Sequence, residues 1–325
     1  MEIRGSKILV VGAGISGLMA ATVLQRAGAE VKVLEKGRGF GGRMATRRVN
    51  GACLDHGAQF MTVRTEAFGR WVSEWRERGV IREWFRRAPW DSAPEGHPRY
   101  CGVNGMTDIG KALGKELDVD LSIRIESLSC SKEGWSARAA TGECYDADIL
   151  ILTPPLPQSL ALLRHSEVSL PSEEWAGMER IEYEPSLAGL FILDGPSGLP
   201  EPGGLKMKDS IAVWIGDNTR KGISPKVNAV TVHSSPEFAR QYWDSADEER
   251  LPILQSAVEP HLVSGIVSAS IHRWRYNIPL QFWQEPFYWN DRARLGMAGD
   301  AFGGPRIEGA AVSGLALADF LSVSQ

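Results

Sequence analysis

Gly12, Gly14, Gly17, Ala21 and Gly28 follow the spacing G-x-G-x-x-G-x3-A-x6-G, and an acid, Glu35, comes after them. Lys7 to Val11 (KILVV) reads as a buried parallel strand, Ser16 to Ala27 as the helix it feeds, and Val31 to Leu34 as the next strand. Each glycine has a mechanical purpose. Gly12 turns the chain out of the strand, Gly14 lets a pyrophosphate approach the backbone, and Gly17 lets helix and strand pack closely. The helix N-terminus offers free N–H groups to the phosphates. An acid about twenty residues on accepts from both ribose hydroxyls and disfavours a 2′-phosphate there. By itself this element does not separate FAD from NAD.

Composition narrows the partners. The chain has 325 residues, enough for two domains, with 43% hydrophobic and 23% charged residues. A net charge of −4 argues against a broad nucleic-acid surface. Cys53, Cys101, Cys130 and Cys144 lack metal-site spacing and read as free thiols in a reducing compartment, so a cytoplasmic location is expected. No apolar run reaches membrane-spanning length. Ile8 to Leu24 resembles a signal segment only superficially, because its glycine spacing suits nucleotide binding better. Ten of the eleven tryptophans fall in two separated stretches, residues 71–90 and 175–289, which suggests a second domain assembled from two pieces.

The pattern along the chain supports that division. Glu66 to Arg78 predicts an amphipathic helix with Phe68, Trp71, Val72 and Trp75 on one face, and Asp108 to Leu117 a second helix. Strands are predicted at Leu121 to Leu128, Trp135 to Ala140 and Ala147 to Leu152, the last returning to the first sheet and stopped by Pro154 and Pro155. Further strands are predicted at Leu187 to Leu193, Ile211 to Ile215, Ala229 to Ser234 and Ile266 to Tyr276, with a helix at Ala246 to Val258. A short strand, Leu295 to Ala298, and a closing helix, Glu308 to Leu321, complete the pattern. The expected fold is α/β. A discontinuous Rossmann domain (residues 1–62, 100–160 and 291–325) is joined to a mostly antiparallel α+β substrate domain (63–99 and 161–290).

The segment Gly296 to Asp319 resembles the C-terminal FAD motif of the glutathione-reductase-like flavoproteins. In that motif the aspartate of Gly299-Asp300 accepts from a ribityl hydroxyl. Helix N–H groups at Glu308, Gly309 and Ala310 then meet the negative charge that a reduced flavin carries on its pyrimidine edge. Together with the N-terminal element, this favours FAD over NAD. Between the two ends, "EKGRGFGGRMATRR" (Glu35 to Arg48) and "LDHGAQFMTVR" (Leu54 to Arg64) resemble the second glycine element and flavin-edge loop of the amine-oxidase clan.

Within that clan the chain resembles the renalase family, especially its bacterial members. The shared blocks include Gly41-Gly42-Arg43-Met44, Gly57-Ala58-Gln59, Gly105-Met106, Thr153-Pro154, His272-Arg273-Trp274, Tyr276, Gly299-Asp300 and Arg306 with Glu308-Gly309-Ala310. The resemblance implies cofactor contacts from Gly12, Gly14, Ile15, Ser16, Gly17, Glu35, Lys36, Gly42, Arg43, Met44, His56, Gly57, Ala58, Gln59, Ile125, Thr153 and Pro154, and from the C-terminal blocks. Departures are visible. Gly39 stands where monoamine oxidases carry the first arginine of R-x-G-G-R, as in renalases. No cysteine follows Cys144, so FAD is expected to be non-covalent. Ala301 replaces a frequent tryptophan, and Thr65 a frequent aspartate.

His272, Trp274 and Tyr276 alternate on one face of a predicted strand, which suits a flat heteroaromatic lying on the flavin ring, and with Gln59 they are the candidate catalytic residues. Ordinary sheet composition explains the same pattern. No Ser-His-Asp, Cys-His or metal constellation stands out, and a flavin oxidase needs none. The resemblance implies hydride transfer from 2- or 6-dihydro isomers of NAD(P)H to the flavin and then reduction of O2 to H2O2. Arg43, Arg64 or Arg273 would meet the substrate diphosphate. Two alternatives stay open: an amine oxidase or desaturase of the same clan, with only Lys206 and Lys208 as remote candidates for a lysine near the flavin, and a non-catalytic binding protein on this fold.

Overall fold

The computed structural model describes residues 3–92 and 94–323, so the extreme ends of the two outer expected pieces lie outside the described residues. In chain order, β1 (Lys7–Val11) leads through α1 (Ile15–Arg26) to β2 (Glu30–Glu35). A hairpin of β3 (Thr46–Val49) and β4 (Ala52–Asp55) precedes α2 (Glu66–Glu77), a second hairpin of β5 (Ile81–Phe85) and β6 (Arg99–Gly102), and α3 (Thr107–Gly114). Then come β7 (Asp118–Leu121), a meander of β8 (Ile125–Ser131), β9 (Gly134–Ala139) and β10 (Cys144–Ala147), and β11 (Ile149–Leu152). Helices α4 (Leu156–His165) and α5 (Ser172–Glu179) lead to β12 (Tyr183–Leu193), β13 (Gly204–Lys206), β14 (Ala212–Asp217) and β15 (Ala229–Ser234). The chain continues through α6 (Pro236–Gln241), α7 (Asp247–Val258), the long β16 (Ile266–Pro279), β17 (Tyr288–Asn290) and β18 (Leu295–Met297). It ends in α8 (Asp300–Gly303) and α9 (Ile307–Val323).

The first sheet has the order β17-β18-β11-β1-β2-β7, parallel except where β17 meets β18. Its central strands are apolar at every inward position because both faces are covered. Ile8, Val10, Val33, Ile149 and Ile151 pack under α1 and α9. Leu9, Val11, Leu34, Leu150 and Leu152 face α4 and the β8–β10 meander. The second sheet, β13-β14-β15-β12-β16, is antiparallel throughout. Leu187, Phe191, Val230 and Val232 pack on Phe238, Leu254 and Val258 of its helices. Its opposite face sets Leu190, Ile192 and Ala229 against Ala52 and Leu54 of the β3–β4 hairpin, so the two sheets meet there.

Three predicted elements are redrawn. The strand expected over Leu121 to Leu128 is two strands in different sheets, because Ser122 takes a φ of 63° and turns the chain. The strand expected over Ala147 to Leu152 breaks at Asp148, whose carboxylate accepts from the Lys7 N–H at 2.8 Å and pins β10 beside β1. Several tryptophans do not join the second sheet. Trp71, Trp75 and Trp289 pack with the α1 and α9 core, and Trp175 and Trp283 with the core on the other face of the first sheet.

One ion pair ties the two halves together. Lys221, in the loop after β14, and Asp55, at the end of β4, are both fully buried, with the ammonium 2.5 Å from Oδ2. Asp55 Oδ1 accepts from Thr46 Oγ1 at 2.5 Å and from the Met106 N–H at 2.9 Å. The ammonium also donates to the Gln59 carbonyl and lies 5.1 Å from the Trp84 ring centre. Removing one partner strands the other in a dry interior. Lys221→Met should therefore lower the unfolding free energy by about 3–5 kcal/mol, read from urea denaturation. An unchanged midpoint would mean that the pair contributes nothing to holding the halves together.

Candidate functional site

At the carboxyl ends of β1, β2 and β11 a groove of ≈ 1070 Å³ opens between the first sheet and β16. The glycines define its floor. A β-carbon at Gly17 would sit 2.1 Å from the Gly12 carbonyl oxygen, so only glycine lets α1 start this close to the strand. Gly14 differs: a β-carbon there would meet nothing within 4 Å. At the same helix start, Ser16 Oγ is buried without a hydrogen-bond partner. An open backbone face and an unused hydroxyl at a helix N-terminus fit the diphosphate of a dinucleotide cofactor. Glu35 lines the groove while accepting from the Ala13 and Gly37 N–H groups at 2.8 and 2.6 Å. Lys36, Ile125, Thr153 and Pro154 line it too, and Thr153 Oγ1 donates to the Val11 and Gly12 carbonyls beneath the turn.

A second cavity, of ≈ 370 Å³, continues from the groove, and the two share Gly14, Arg43, Thr153 and Trp274. Here Arg43 forms a two-point pair with Asp300: Nη2 donates to Oδ1 at 2.7 Å and Nη1 donates to Oδ2. Burial opposes the Arg43 charge, but Asp300 outweighs it and raises the guanidinium's pKa. The Tyr183 hydroxyl donates to Asp300 Oδ1 at 3.1 Å, and burial, then Asp300, push that phenol up. Asp300 is thus held by two partners before any ribityl hydroxyl arrives, and Arg43 is committed to it.

The cavity's far wall is aromatic. Phe60 packs on Trp214 at 5.8 Å, and Trp214 on Trp90 at 5.5 Å. Trp274 stacks on His56 at 5.3 Å and donates through Nε1 to the His56 carbonyl at 2.7 Å. His272 makes edge contacts with both rings. Burial, then His272, Arg47 and His233, push His56 down to about 3. Burial brings His233 down to about 4, and His272 is lowered by burial, Arg47 and Arg273. The imidazoles at this end are therefore neutral near pH 7.

Most residues singled out from sequence line one of the two cavities, including Ile15, Gly42, Met44, Gly57, Ala58, Gln59, Gly299, Arg306, Ala310, His272, Trp274 and Tyr276. Four do not. Gly17 is a packing glycine, and His56 backs Trp274 from behind. Glu308 turns away: its Oε1 accepts from the Arg64 and Thr65 N–H groups and from Thr65 Oγ1, at the start of α2. Gly309 packs on the loop beneath it, 2.4 Å from the Gly304 oxygen if it carried a β-carbon. Tyr276 parts from the His272–Trp274 pair at an irregularity in the β12–β16 register and packs edge-on against Tyr183.

Both departures from the family pattern find local reasons. Thr65 donates to Glu308, where an aspartate would face a second carboxylate. Ala301 is buried in the core under the first sheet and lines neither cavity. Lys206 closes the short strand β13, and it is exposed. Trp214, His233, Phe60 and Lys221 escaped the sequence reading. Phe60 sits inside the Leu54–Arg64 block without being singled out, no local motif marks the other three, and the meeting of β14 and β15 with the β4 loop brings them together.

Two measurements follow. Gly14→Val should fold, because the space around it is open, yet lose flavin. Gly17→Val should lose stability instead. Flavin content after desalting and thermal melting separate the two, and a fully flavin-loaded Gly14→Val protein would exclude this turn as the cradle. His56 and His233 are neutral when folded but bind protons when unfolded below the ordinary value of 6.5. Stability is therefore complete above about pH 6.5 and falls as pH drops. His233→Gln should flatten that slope by up to about 1.4 kcal/mol per pH unit, measured by urea unfolding at pH 5 and 7.5. An unaltered slope would mean that His233 protonates as freely in the folded state.

Comparison with known proteins agrees with this geometry. A family model described as an NAD(P)-binding Rossmann-like domain matches residues 10–75. Renalase of Mus musculus is 25% identical over 292 residues, which span 84% of this chain and 85% of that protein. Among solved structures, a candidate protoporphyrinogen oxidase of Exiguobacterium sp. 255-15 superposes with a TM-score of 0.75 at 14% identity, over 99% of this chain and 100% of that one. Wild-type putrescine oxidase bound to putrescine gives a TM-score of 0.73 at 15% identity, over 98% and 99% of the two chains. At such identities the two structures speak for the fold, and the sequence relationship for the lineage. The chain is a renalase homologue, an FAD-dependent oxidoreductase with an amine-oxidase type of architecture.

Proposed function

We propose that the protein oxidises a dihydronicotinamide, a 2- or 6-dihydro isomer of NAD(P)H, using non-covalently bound FAD, with O2 as electron acceptor and H2O2 as product. The observation that carries this reading is the aromatic cavity beside the Arg43–Asp300 pair, walled by Phe60, Trp214 and Trp274 and bordered by neutral imidazoles. When bound, the flavin supplies a two-electron acceptor and passes the pair on to O2. The remaining tasks belong to the protein. Trp274, fixed by its bond to the His56 carbonyl, orients a flat ring. Gln59 is held by its side-chain amide, which donates to the Asp55 carbonyl and to the Gly57 carbonyl at 3.1 Å, and it lines the cavity. A dihydropyridine becomes an aromatic pyridinium by losing hydride alone, so neutral histidines suffice and no group need accept a proton. None of the four free cysteines lines either cavity, which supports a non-covalent cofactor. Free thiols also suit a reducing compartment such as the cytoplasm.

Amine oxidation is the second reading, favoured by the likeness to the putrescine-bound oxidase. Against it, the Lys221 ammonium is spent on Asp55 and the Gln59 carbonyl, and Lys206 and Lys208 are exposed. Anaerobic mixing with borohydride-reduced NAD isomers should bleach the flavin much faster than NADH or tyramine does. Trp274→Ala should slow that bleaching by roughly ten- to a hundredfold while keeping flavin bound. Rapid bleaching by tyramine alone would give the site to amines.

A further inference from the structure

Arg273 and Arg275 lie two residues apart on β16, the edge strand of the second sheet, and therefore project from the same side of it. Both guanidinium groups stand over the Trp243 indole, 5.9 and 5.2 Å from its centre. Arg273 also donates to the Trp243 carbonyl at 3.5 Å. The same carbonyl accepts at 2.9 Å from Arg250, which is buried and whose charge is met by Asp247 at 2.6 Å. Trp243 is thus a fixed platform. Among the described residues neither Arg273 nor Arg275 has a carboxylate partner, and two like charges side by side repel.

Both arginines line the groove, whose wall also carries Lys36, Arg43 and Arg124 against Glu35 and Glu126. The excess of cations there runs against the chain's net charge of −4. Of the three arginines singled out from sequence, Arg43 is taken by Asp300 and by the Tyr276 and Asn277 carbonyls, and Arg64 lies in a shallow depression beside α2. Only Arg273 keeps an uncommitted guanidinium at the groove, and Arg275 doubles it.

We propose that Arg273 and Arg275, seated on Trp243, bind the diphosphate of a dinucleotide substrate whose ring enters the aromatic cavity; this rests on the function proposed above. The groove and the cavity share Gly14, Arg43, Thr153 and Trp274, and the two arginines stand on the β16 wall of the groove rather than at the Gly14 turn that fits the cofactor diphosphate. Guanidinium forks match phosphate oxygens in pairs. The exposed rim makes the contact sensitive to salt.

The diphosphate of the FAD itself has the same chemistry, and the test separates the two sources. Holoenzyme of wild type, Arg273→Gln and Arg275→Gln is measured for flavin content, for affinity towards redox-inert ADP-ribose by calorimetry, and for kcat/KM on dihydronicotinamide dinucleotides relative to the phosphate-free riboside. Each substitution should lower both the ADP-ribose affinity and the dinucleotide-to-riboside preference about tenfold. Raising salt from about 0.05 to 0.5 M should do the same to wild type. Unchanged affinity and preference overturn the proposal. Loss of flavin with unchanged ADP-ribose affinity also overturns it, and gives the arginines to the cofactor. Arginine-dependent ADP-ribose binding by a protein that oxidises no dihydronicotinamide upholds the anion site and discards the substrate reading.

Discussion

The site depends on the buried pair of Lys221 and Asp55. Neither charge touches water, and each is tolerable only because the other is there. Asp55 gathers Thr46, the start of α3 and Lys221, while Lys221 reaches the carbonyl of Gln59. The loop from Asp55 to Gln59 is thereby clamped between the two sheets. Trp274, from the second sheet, adds another tie through the His56 carbonyl. The two sheets are registered to each other by these short polar contacts together with the apolar packing of Leu190, Ile192 and Ala229 on Ala52 and Leu54.

Those contacts also set the chemical character of the cavity. Arg43 is neutralised by Asp300, Lys221 by Asp55, and burial keeps His56 and His233 uncharged. What faces the interior is aromatic surface with polar atoms at its edges. Arg273 and Arg275 put positive charge on the groove wall, and Arg306 adds another at the cavity. An uncharged ring inside and an anion outside is a polarity that suits a nucleotide better than a small amine.

Much of the fold was legible in the chain. The glycine spacing and the KILVV run identify β1, α1 and β2, because a strand covered on both faces must be apolar throughout and a helix starting that close to it must begin with glycine. The stripe of Phe68, Val72 and Trp75 is likewise core, as helical periodicity predicts. Legibility failed where single residues redirect the backbone, at Ser122 and Asp148, since short apolar runs do not declare where pairing changes partner.

The sequence by itself determined the glycine turn between β1 and α1, whose open backbone fits the diphosphate of a dinucleotide cofactor, because close backbone approach demands particular glycines at particular spacings. It also determined that the chain belongs with the flavoproteins, through the Gly299-Asp300 element. Tertiary structure alone decided what lines the aromatic cavity. Trp214, His233, Phe60 and Lys221 come from separate elements, and no local pattern links them. Tertiary structure likewise decided which arginines are free, since charge pairing depends on which distant carboxylate the fold brings within reach. Arg43 meets Asp300, 257 positions further along the chain, and Arg273 meets a tryptophan.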